Sequence, residues 1–407
     1  MRGAVRQRHT WICFLAGLLV YWIAQVLHTG ELFAQSQWPY YVYYARALLD
    51  GRLDFGTLPP AALDLAVYQG RTYLYHPPFP SLLMAPLVWL FGLGVPDRFV
   101  SVLLGASNGA LFYRFLVALD REGFARSDER ERAWLSALFL FGTVHAYLVV
   151  TANHWELSQV VTITGVLCAL LAALAGRPIW MALALVSVLG TRSHVVLVGL
   201  APLGLYAWRE RRRGVPQADL LRRLVPVLAL GAASVALLMA FNAMRFGDPF
   251  ESGTSHQRMH DMFRQRFDAH GLLSLAYVPR NLHALLVALP ERFAGFPFLR
   301  FSPTGLSVFL ATPFYAYLFW SLRRETRAQA AILWAGVVPV MMVVLVTIGT
   351  GENQFGHRYS ADVQPLLLVL AWLGAGMRFT QTGVVLLVAS IAMNALGTWW
   401  FVSTYAG

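Results

Sequence analysis

Acidic, basic and aromatic side chains gather in a few polar stretches of an otherwise apolar sequence, and the densest stretch is 64–80. It contains Asp64, Arg71, Tyr73 and His76 and ends shortly after a double proline. A carboxylate fixed there can take a proton from an incoming hydroxyl as general base, and a guanidinium can bind two oxygens of a phosphate at once. The structural alternative is that Asp64 caps a turn or pairs with Arg71.

Two further stretches place charged groups next to apolar runs. Glu156 begins an apolar segment, where a carboxylate either acts as a base or stabilises the helix by meeting its macrodipole. Arg192 and His194 end a short apolar segment, and a guanidinium this close to lipid is costly unless it has a partner. For Arg192 the partner is either a substrate phosphate or a structural carboxylate.

Near the C-terminus, the stretch 349–362 again combines a base, a cation and an acid in His357, Arg358 and Asp362. Arg358 is therefore a second candidate phosphate ligand, or the ion-pair partner of Asp362. Arg245 opens a segment whose glycine and proline indicate first a turn and second a ligand contact. Together these residues predict a site that binds an anionic substrate.

Patterns for metal and nucleotide chemistry are weak. His256 and His260 are spaced to share a helix face, but the sequence has no HExxH glutamate beside them. Cys13 and Cys168 both fall inside apolar segments and indicate neither a disulfide nor a zinc site. We therefore expect no cofactor, and no ligand cluster indicates a divalent metal, although the need for one stays open; the sequence has neither a phosphate-binding P-loop nor a GxSxG elbow.

Composition assigns the chain to the membrane. Of its 407 residues 57% are hydrophobic and 13% charged, and the mean hydropathy is +0.54. Apolar runs close to the length of about 20 residues needed to cross a bilayer predict an all-α, polytopic transmembrane bundle. The net charge of +11 comes from arginines clustered beside these runs, which is typical of a topology signal rather than of nucleic-acid binding.

The positive-inside rule orients the predicted helices. Arg2, Arg6 and Arg8 precede the first run and place the N-terminus in the cytoplasm, so that loops 28–80, 242–302 and 349–362 face the periplasm. The aromatic segment 38–49 predicts an interfacial helix with a belt of tyrosines, and 79–95 a juxtamembrane or re-entrant element. The eleven predicted crossings are 10–27, 100–119, 133–150, 157–175, 179–190, 195–208, 224–241, 304–322, 328–348, 363–377 and 384–401. All candidate residues then face one pocket on the periplasmic side.

These motifs resemble the GT-C superfamily of polytopic glycosyltransferases, which includes the protein mannosyltransferases and aminoarabinose transferases. The resemblance covers 1–208 as one module, with a long first periplasmic loop, His76-Pro77-Pro78-Phe79 like the family's HPPL, and Thr191-Arg192 near a short helix end. Residues 209–407 then form a variable C-terminal bundle. A narrower resemblance, to uncharacterised bacterial relatives, rests on Asp64 with Gly70-Arg71, on Asn242 with Arg245-Phe246-Gly247, and on Arg358-Tyr359 with Asp362 and Pro365.

The resemblance implies transfer of a sugar from a polyprenyl-phosphate donor to an acceptor hydroxyl at the bacterial inner membrane. Family members differ in their need for a divalent cation. The chain departs from the family after the first crossing, where Ser36, Gln37 and Trp38 occupy the place of the usual acid. The base is then Asp64, Glu156 or another acid, or else the protein is a non-catalytic carrier-binding protein or transporter.

Overall fold

The computed structural model describes residues 2–295, 298–302 and 304–405, which form a helical bundle with two short hairpins. The apolar runs are helical because helices satisfy every backbone hydrogen bond internally in lipid. The helices are α1 Arg2–Thr29, α2 Tyr40–Leu49, α3 Phe79–Phe91, α4 Asp97–Glu122, α5 Glu129–Phe141, α6 His145–Thr151, α7 His154–Leu174, α8 Pro178–Leu189, α9 Leu200–Arg212, α10 Gln217–Phe246, α11 Asp261–His270, α12 Val278–Leu286, α13 Val308–Ala311, α14 Arg327–Val346, α15 Gln364–Gly374 and α16 Gln381–Tyr405. The antiparallel pairs are β1 Ala66–Tyr68 with β2 Arg71–Tyr73, and β3 Glu291–Arg292 with β4 Leu299–Arg300. Short 3₁₀ segments cover Gly92–Gly94, Ser193–Gly199, Leu275–Tyr277, Pro313–Trp320 and Arg358–Val363.

Within the described residues, six helices are long and apolar enough to cross a membrane, and α5 with α6 forms a seventh candidate bent by 46°. The predicted membrane class and all-α fold are therefore confirmed. The count of eleven crossings stays a prediction, because several of the predicted runs fold into short elements. For example, the 12 residues of α8 extend only about 18 Å, against a hydrocarbon core of about 30 Å.

The centre of the bundle is built on α4, which packs against α1 and α7. Two glycines of α4 allow α6 and α5 to pack closely against it. A β-carbon on Gly105 would lie 2.4 Å from a methyl group of Val149, and one on Gly109 would lie 2.5 Å from Leu140. Larger residues at these positions would push α6 and α5 away from α4. The positions of α5 and α6 therefore depend on these two glycines.

Helix α2 lies where the interfacial helix was predicted, but its tyrosines do not form a belt in contact with lipid. Tyr40, Tyr41 and Tyr44 are at most 1% exposed and belong to a hydrophobic cluster with residues of α3 and α7. The hydroxyl groups of Tyr40 and Tyr44 donate to the carbonyls of Leu63 and Leu53. The belt prediction is wrong because the first loop folds back over α2 and buries the face that the sequence pattern assigned to the interface.

The three long loops are joined to one another by backbone and ion-pair contacts. Around β1, the amide of Val67 donates to the carbonyl of His256 and that of Arg258 to Leu65, which ties the first loop to the second. Glu352 of the third loop pairs with Arg266 and Arg280 of the second. These contacts hold segments far apart in sequence over the same end of the bundle.

Candidate active site at one end of the bundle

A cavity of about 600 Å³ opens at the end of the bundle covered by the three loops. Its wall takes residues from the first loop, from the starts of α4 and α7, from the segment after α8, and from the second and third loops. Seven of the ten predicted site residues line it: Asp64, His76, Glu156, Arg192, His194, Arg245 and Arg358. The polar stretches of the sequence are therefore brought to one cavity.

Arg192 is held in the cavity wall by a buried carboxylate. Its Nη2 and Nε atoms lie 3.0 Å and 3.2 Å from Oδ2 of Asp362, which is fully buried. Burial raises the pKa of Asp362, whereas the charge of Arg192 lowers it. The Nη1 group of Arg192 forms no hydrogen bond with any described residue. One edge of the guanidinium is thus fixed, and a donor group remains for a ligand.

Arg358, like Arg192, lies in the cavity wall next to a buried carboxylate, here that of Glu156. Its Nη1 lies 3.5 Å from Oε1 of Glu156, and its Nε and Nη2 groups donate to the carbonyl of Gly351. Both arginines contact the ring of Tyr359, with each guanidinium carbon 5.2 Å from the ring centroid. The two guanidinium carbons are consequently separated by no more than twice that distance, and both arginines line the same cavity.

Asp64 stands out among the acids of the wall because no described residue forms an ion pair or hydrogen bond with its carboxylate. It adopts a left-handed backbone conformation with φ of 61°, which aspartate tolerates better than most residues. The Tyr40 hydroxyl fixes the preceding residue, since it accepts from the amide of Leu63 at 2.6 Å and donates to its carbonyl at 2.7 Å. Burial raises the pKa of Asp64 to about 6, against the opposing charge of Arg358.

Replacing Tyr40 with phenylalanine is expected to release the backbone that holds Asp64. The change removes both hydrogen bonds to Leu63 while the buried ring keeps its packing, so the loss in unfolding free energy should be about 1–3 kcal/mol. If Asp64 is the general base that the sequence predicts, the rate of transfer should fall by more than the loss of folded protein explains. The affinity for the phosphate-linked donor should stay unchanged. Thermal unfolding and steady-state rates measured on the same preparation test this, with Tyr44→Phe as the matched control. Equal rate losses in both variants would contradict a specific role for Tyr40.

Two histidines complete the polar wall. The ring of His76 packs at 4.2 Å from that of Tyr75 and 5.4 Å from that of His154, measured between centroids. Burial and the charges of Arg192 and Arg358 lower the pKa of His76 to about 3. His76 is therefore neutral near pH 7, and its buried Nε2 has no hydrogen-bond partner among the described residues. His194 lies beside Arg192 in the same wall.

The other three predicted site residues lie away from the cavity wall. Arg71 is exposed at the tip of the β1–β2 hairpin, where positive φ angles at Gln69 and Gly70 form the two-residue turn. Tyr73 packs on Phe246 at 5.2 Å between ring centroids. His357 is fully buried, and no described residue accepts or donates a hydrogen bond at its ring nitrogens.

Arg245 lines the cavity, but the protein occupies its terminal nitrogens. Nη1 donates to the carbonyl of Leu74 at 2.6 Å and Nη2 to the side chain of Asn242 at 2.7 Å. The guanidinium also lies 4.1 Å from the ring centroid of Phe241. These contacts connect the end of α10 to the segment that follows β2 and leads to His76. Arg245 therefore has a structural role, and its terminal nitrogens are not available to a ligand.

Sequence reasoning missed Arg98, a buried arginine at the start of α4 that also lines the cavity. Its Nη1 lies 3.4 Å from the carbonyl of Val150, and its Nε has no hydrogen-bond partner among the described residues. An arginine in the first turn of a helix opposes the macrodipole, and that unfavourable position was the signal available in the sequence. Beside it, Asp97 accepts hydrogen bonds from the amide and hydroxyl of Ser36 at 2.7 Å and 2.6 Å.

Gln37 and Trp38 line the cavity directly after Ser36. Two of the three residues at the place of the expected acid therefore face the cavity, as an amide and an indole. Among the described residues, no group of three His, Cys, Asp or Glu side chains is placed to hold a metal ion.

No protein-family model matches the sequence, and no curated protein matches it. Solved structures are similar in fold. The crystal structure of ArnT from Cupriavidus metallidurans bound to undecaprenyl phosphate has 16% identity and a TM-score of 0.54, and the match covers 92% of this chain and 61% of ArnT. The apo oligosaccharyltransferase of Archaeoglobus fulgidus has 14% identity and a TM-score of 0.50, and the match covers 95% of this chain and 56% of that enzyme.

The chain thus spans about three fifths of the length of these two proteins. At such low sequence identity, the similarity shows a shared fold alone. Together with the apolar helices, it establishes a multi-pass membrane protein with a GT-C-like fold.

Proposed function

We propose that this protein is a membrane glycosyltransferase that moves a sugar from a polyprenyl-phosphate donor to an acceptor hydroxyl on the periplasmic face of the bacterial inner membrane. The observation that carries the proposal is that Arg192 and Arg358 both contact the ring of Tyr359 and line one cavity with Asp64. The fold shared with ArnT, whose crystal structure contains undecaprenyl phosphate, supports this class of donor.

In this proposal the two arginines bind the donor phosphate. Each already lies against a carboxylate, Asp362 or Glu156, so its position is set before the substrate arrives. Preorganised cations stabilise the charge that develops on the leaving phosphate, because no reorganisation is needed at the moment of reaction. Arg98 supplies additional positive charge to the same wall.

The cavity also extends toward the membrane interior, which suits a lipid-linked donor. Its wall includes Leu238 of α10 and Val343 of α14, both inside helices long enough to cross the bilayer. A polyprenyl chain entering between these helices would keep its isoprene units in lipid and place its phosphate among the arginines. No nucleotide site is required for such a donor.

Asp64 is assigned as the general base. Glu156 and Asp362 are held by arginines, whereas the Asp64 carboxylate is free to accept the proton of the acceptor hydroxyl. The acceptor oxygen then attacks the anomeric carbon while the bond to the phosphate breaks, and polyprenyl phosphate leaves. A single displacement of this kind inverts the anomeric configuration.

A pH profile follows from this assignment. Because burial raises the pKa of Asp64 to about 6, the base is protonated below that pH, and kcat/KM should rise with pH through about 6 and level off above it. An unperturbed aspartate would place this limb near pH 4. The measurement is the release of labelled polyprenyl phosphate by reconstituted protein between pH 4.5 and 8. A limb that persists unchanged in the residual activity of Asp64→Asn would contradict the assignment.

One observation favours a second candidate, a carrier-binding protein without transferase activity. Ser36, Gln37 and Trp38 occupy the place of the acid that the resemblance implies in the first loop, and the Ser36 hydroxyl donates to Asp97. Such a protein would bind polyprenyl phosphate through the same arginines and release none from a sugar-linked donor. The release assay distinguishes the two candidates directly.

A further inference from the structure

A second depression of about 1,020 Å³ runs along the outside of the bundle between α1, α4, α7 and α8. At the end nearest the cavity it is bordered by Phe79 and Leu83 of α3, and toward the opposite face of the membrane it meets three arginines, Arg114, Arg121 and Arg177. Most of the wall between these ends is apolar. We call this depression the lateral groove.

Arg114 is the unusual member of the groove wall. It lies eight residues before the end of α4 at Glu122, or about 12 Å along the helix axis. With the 26 residues of α4 centred in the bilayer, its Cα lies about 7 Å inside the hydrocarbon core. The side chain is exposed and forms no hydrogen bond or ion pair with any described residue, which is a costly arrangement in lipid.

Among the described residues, no acidic side chain forms an ion pair with Arg114, Arg121 or Arg177. Glu122 also lines the groove, but it lies 3.5 Å from Arg209 and 3.2 Å from Arg213. Arg121 and Arg177 are exposed, and neither forms an ion pair with a residue that the structure describes. An apolar channel that ends in three uncompensated guanidinium groups is complementary to an anionic headgroup with acyl chains.

We propose that the lateral groove binds an anionic phospholipid from the leaflet opposite the cavity. The phosphate lies against Arg114 and Arg177, and an acyl chain follows the apolar wall toward Phe79. The long side chain of Arg114 extends from the hydrocarbon core toward the headgroup region, where its guanidinium obtains a charged partner. This site is separate from the donor cavity and does not depend on the proposed transferase activity.

The test is native mass spectrometry of the purified full chain, titrated with phosphatidylglycerol or with phosphatidylcholine of the same acyl composition. Wild-type protein should retain phosphatidylglycerol preferentially. Arg114→Gln should weaken that binding roughly tenfold, as expected for the loss of one charge-assisted hydrogen bond. Arg324→Gln is the matched control, because Arg324 is exposed and lies outside the groove. Folding is not at risk in Arg114→Gln, since it removes a charge from lipid.

A second variant tests the apolar part of the site. Ala184→Trp fills the groove and should reduce retention of both lipids while leaving the arginines in place. Equal retention of the two lipids by wild-type protein, or equal losses in Arg114→Gln and Arg324→Gln, would overturn the proposal. Stronger, Arg114-dependent retention of undecaprenyl phosphate than of phosphatidylglycerol would also overturn it, because the groove would then belong to the carrier.

Discussion

Asp64→Asn is expected to lower the rate of sugar transfer by about 10²–10⁴-fold, the range that a positioned general base contributes. The amide keeps the size of the side chain but cannot take up the acceptor proton. Because Asp64 forms no ion pair with a described residue, neutralising it leaves no buried cation without a partner. Donor affinity should therefore stay close to the wild-type value, and the loss should appear in kcat.

The matched control is Asp50→Asn, which neutralises an exposed aspartate at the end of α2 whose partner is Arg46. It should retain full activity. Glu156→Gln separates the two candidate bases, because it frees Arg358 as well as removing a carboxylate and should weaken or alter donor binding along with the rate. Full transfer by Asp64→Asn, combined with complete loss of kcat alone in Glu156→Gln, would assign the base to Glu156 instead.

The second large effect is expected at Arg192. Arg192→Ala alone would leave Asp362 buried without a partner, at a cost of about 3–5 kcal/mol, so a loss of activity in it would be ambiguous. The double variant Arg192→Gln with Asp362→Asn removes both charges and should remain folded. It should bind polyprenyl phosphate roughly 10- to 100-fold more weakly, because at least one charge-assisted hydrogen bond to the phosphate is lost, and transfer should fall at least as far.

Arg300→Gln is a suitable control for the double variant, since it removes an exposed cation from the second loop without touching the cavity. Binding is measured with polyprenyl phosphate in detergent, and folding by thermal unfolding of the same samples. Unchanged affinity in a folded double variant would show that the Arg192–Asp362 pair only stabilises the structure.

The membrane class, the helical fold and the gathering of polar stretches at one end were accessible from sequence. Apolar run length and arginine position are local signals, and both follow from the cost of exposing backbone and charge to lipid. Periodicity alone could not give the burial of Tyr40 and its neighbours, because an aromatic helix face looks the same whether lipid or protein covers it.

The partners of the buried ion pairs could not be predicted from the sequence. From sequence, the nearest partner for Asp362 was Arg358, four residues before it, whereas the structure pairs Asp362 with Arg192, 170 positions away. Arg358 in turn meets Glu156. Proximity in the chain is a poor guide when a 3₁₀ segment directs neighbouring side chains to different partners. Arg71 illustrates the same point, since its motif forms the tip of a hairpin rather than part of the cavity wall.

The most direct test of the account is a cryo-electron microscopy structure of the protein with undecaprenyl phosphate. We expect density for the phosphate in the cavity beside Tyr359, within hydrogen-bond distance of Arg192 and Arg358, with the isoprenoid chain leaving between α10 and α14. A phosphate bound elsewhere on the protein, with both arginines still held only by Asp362 and Glu156, would contradict it.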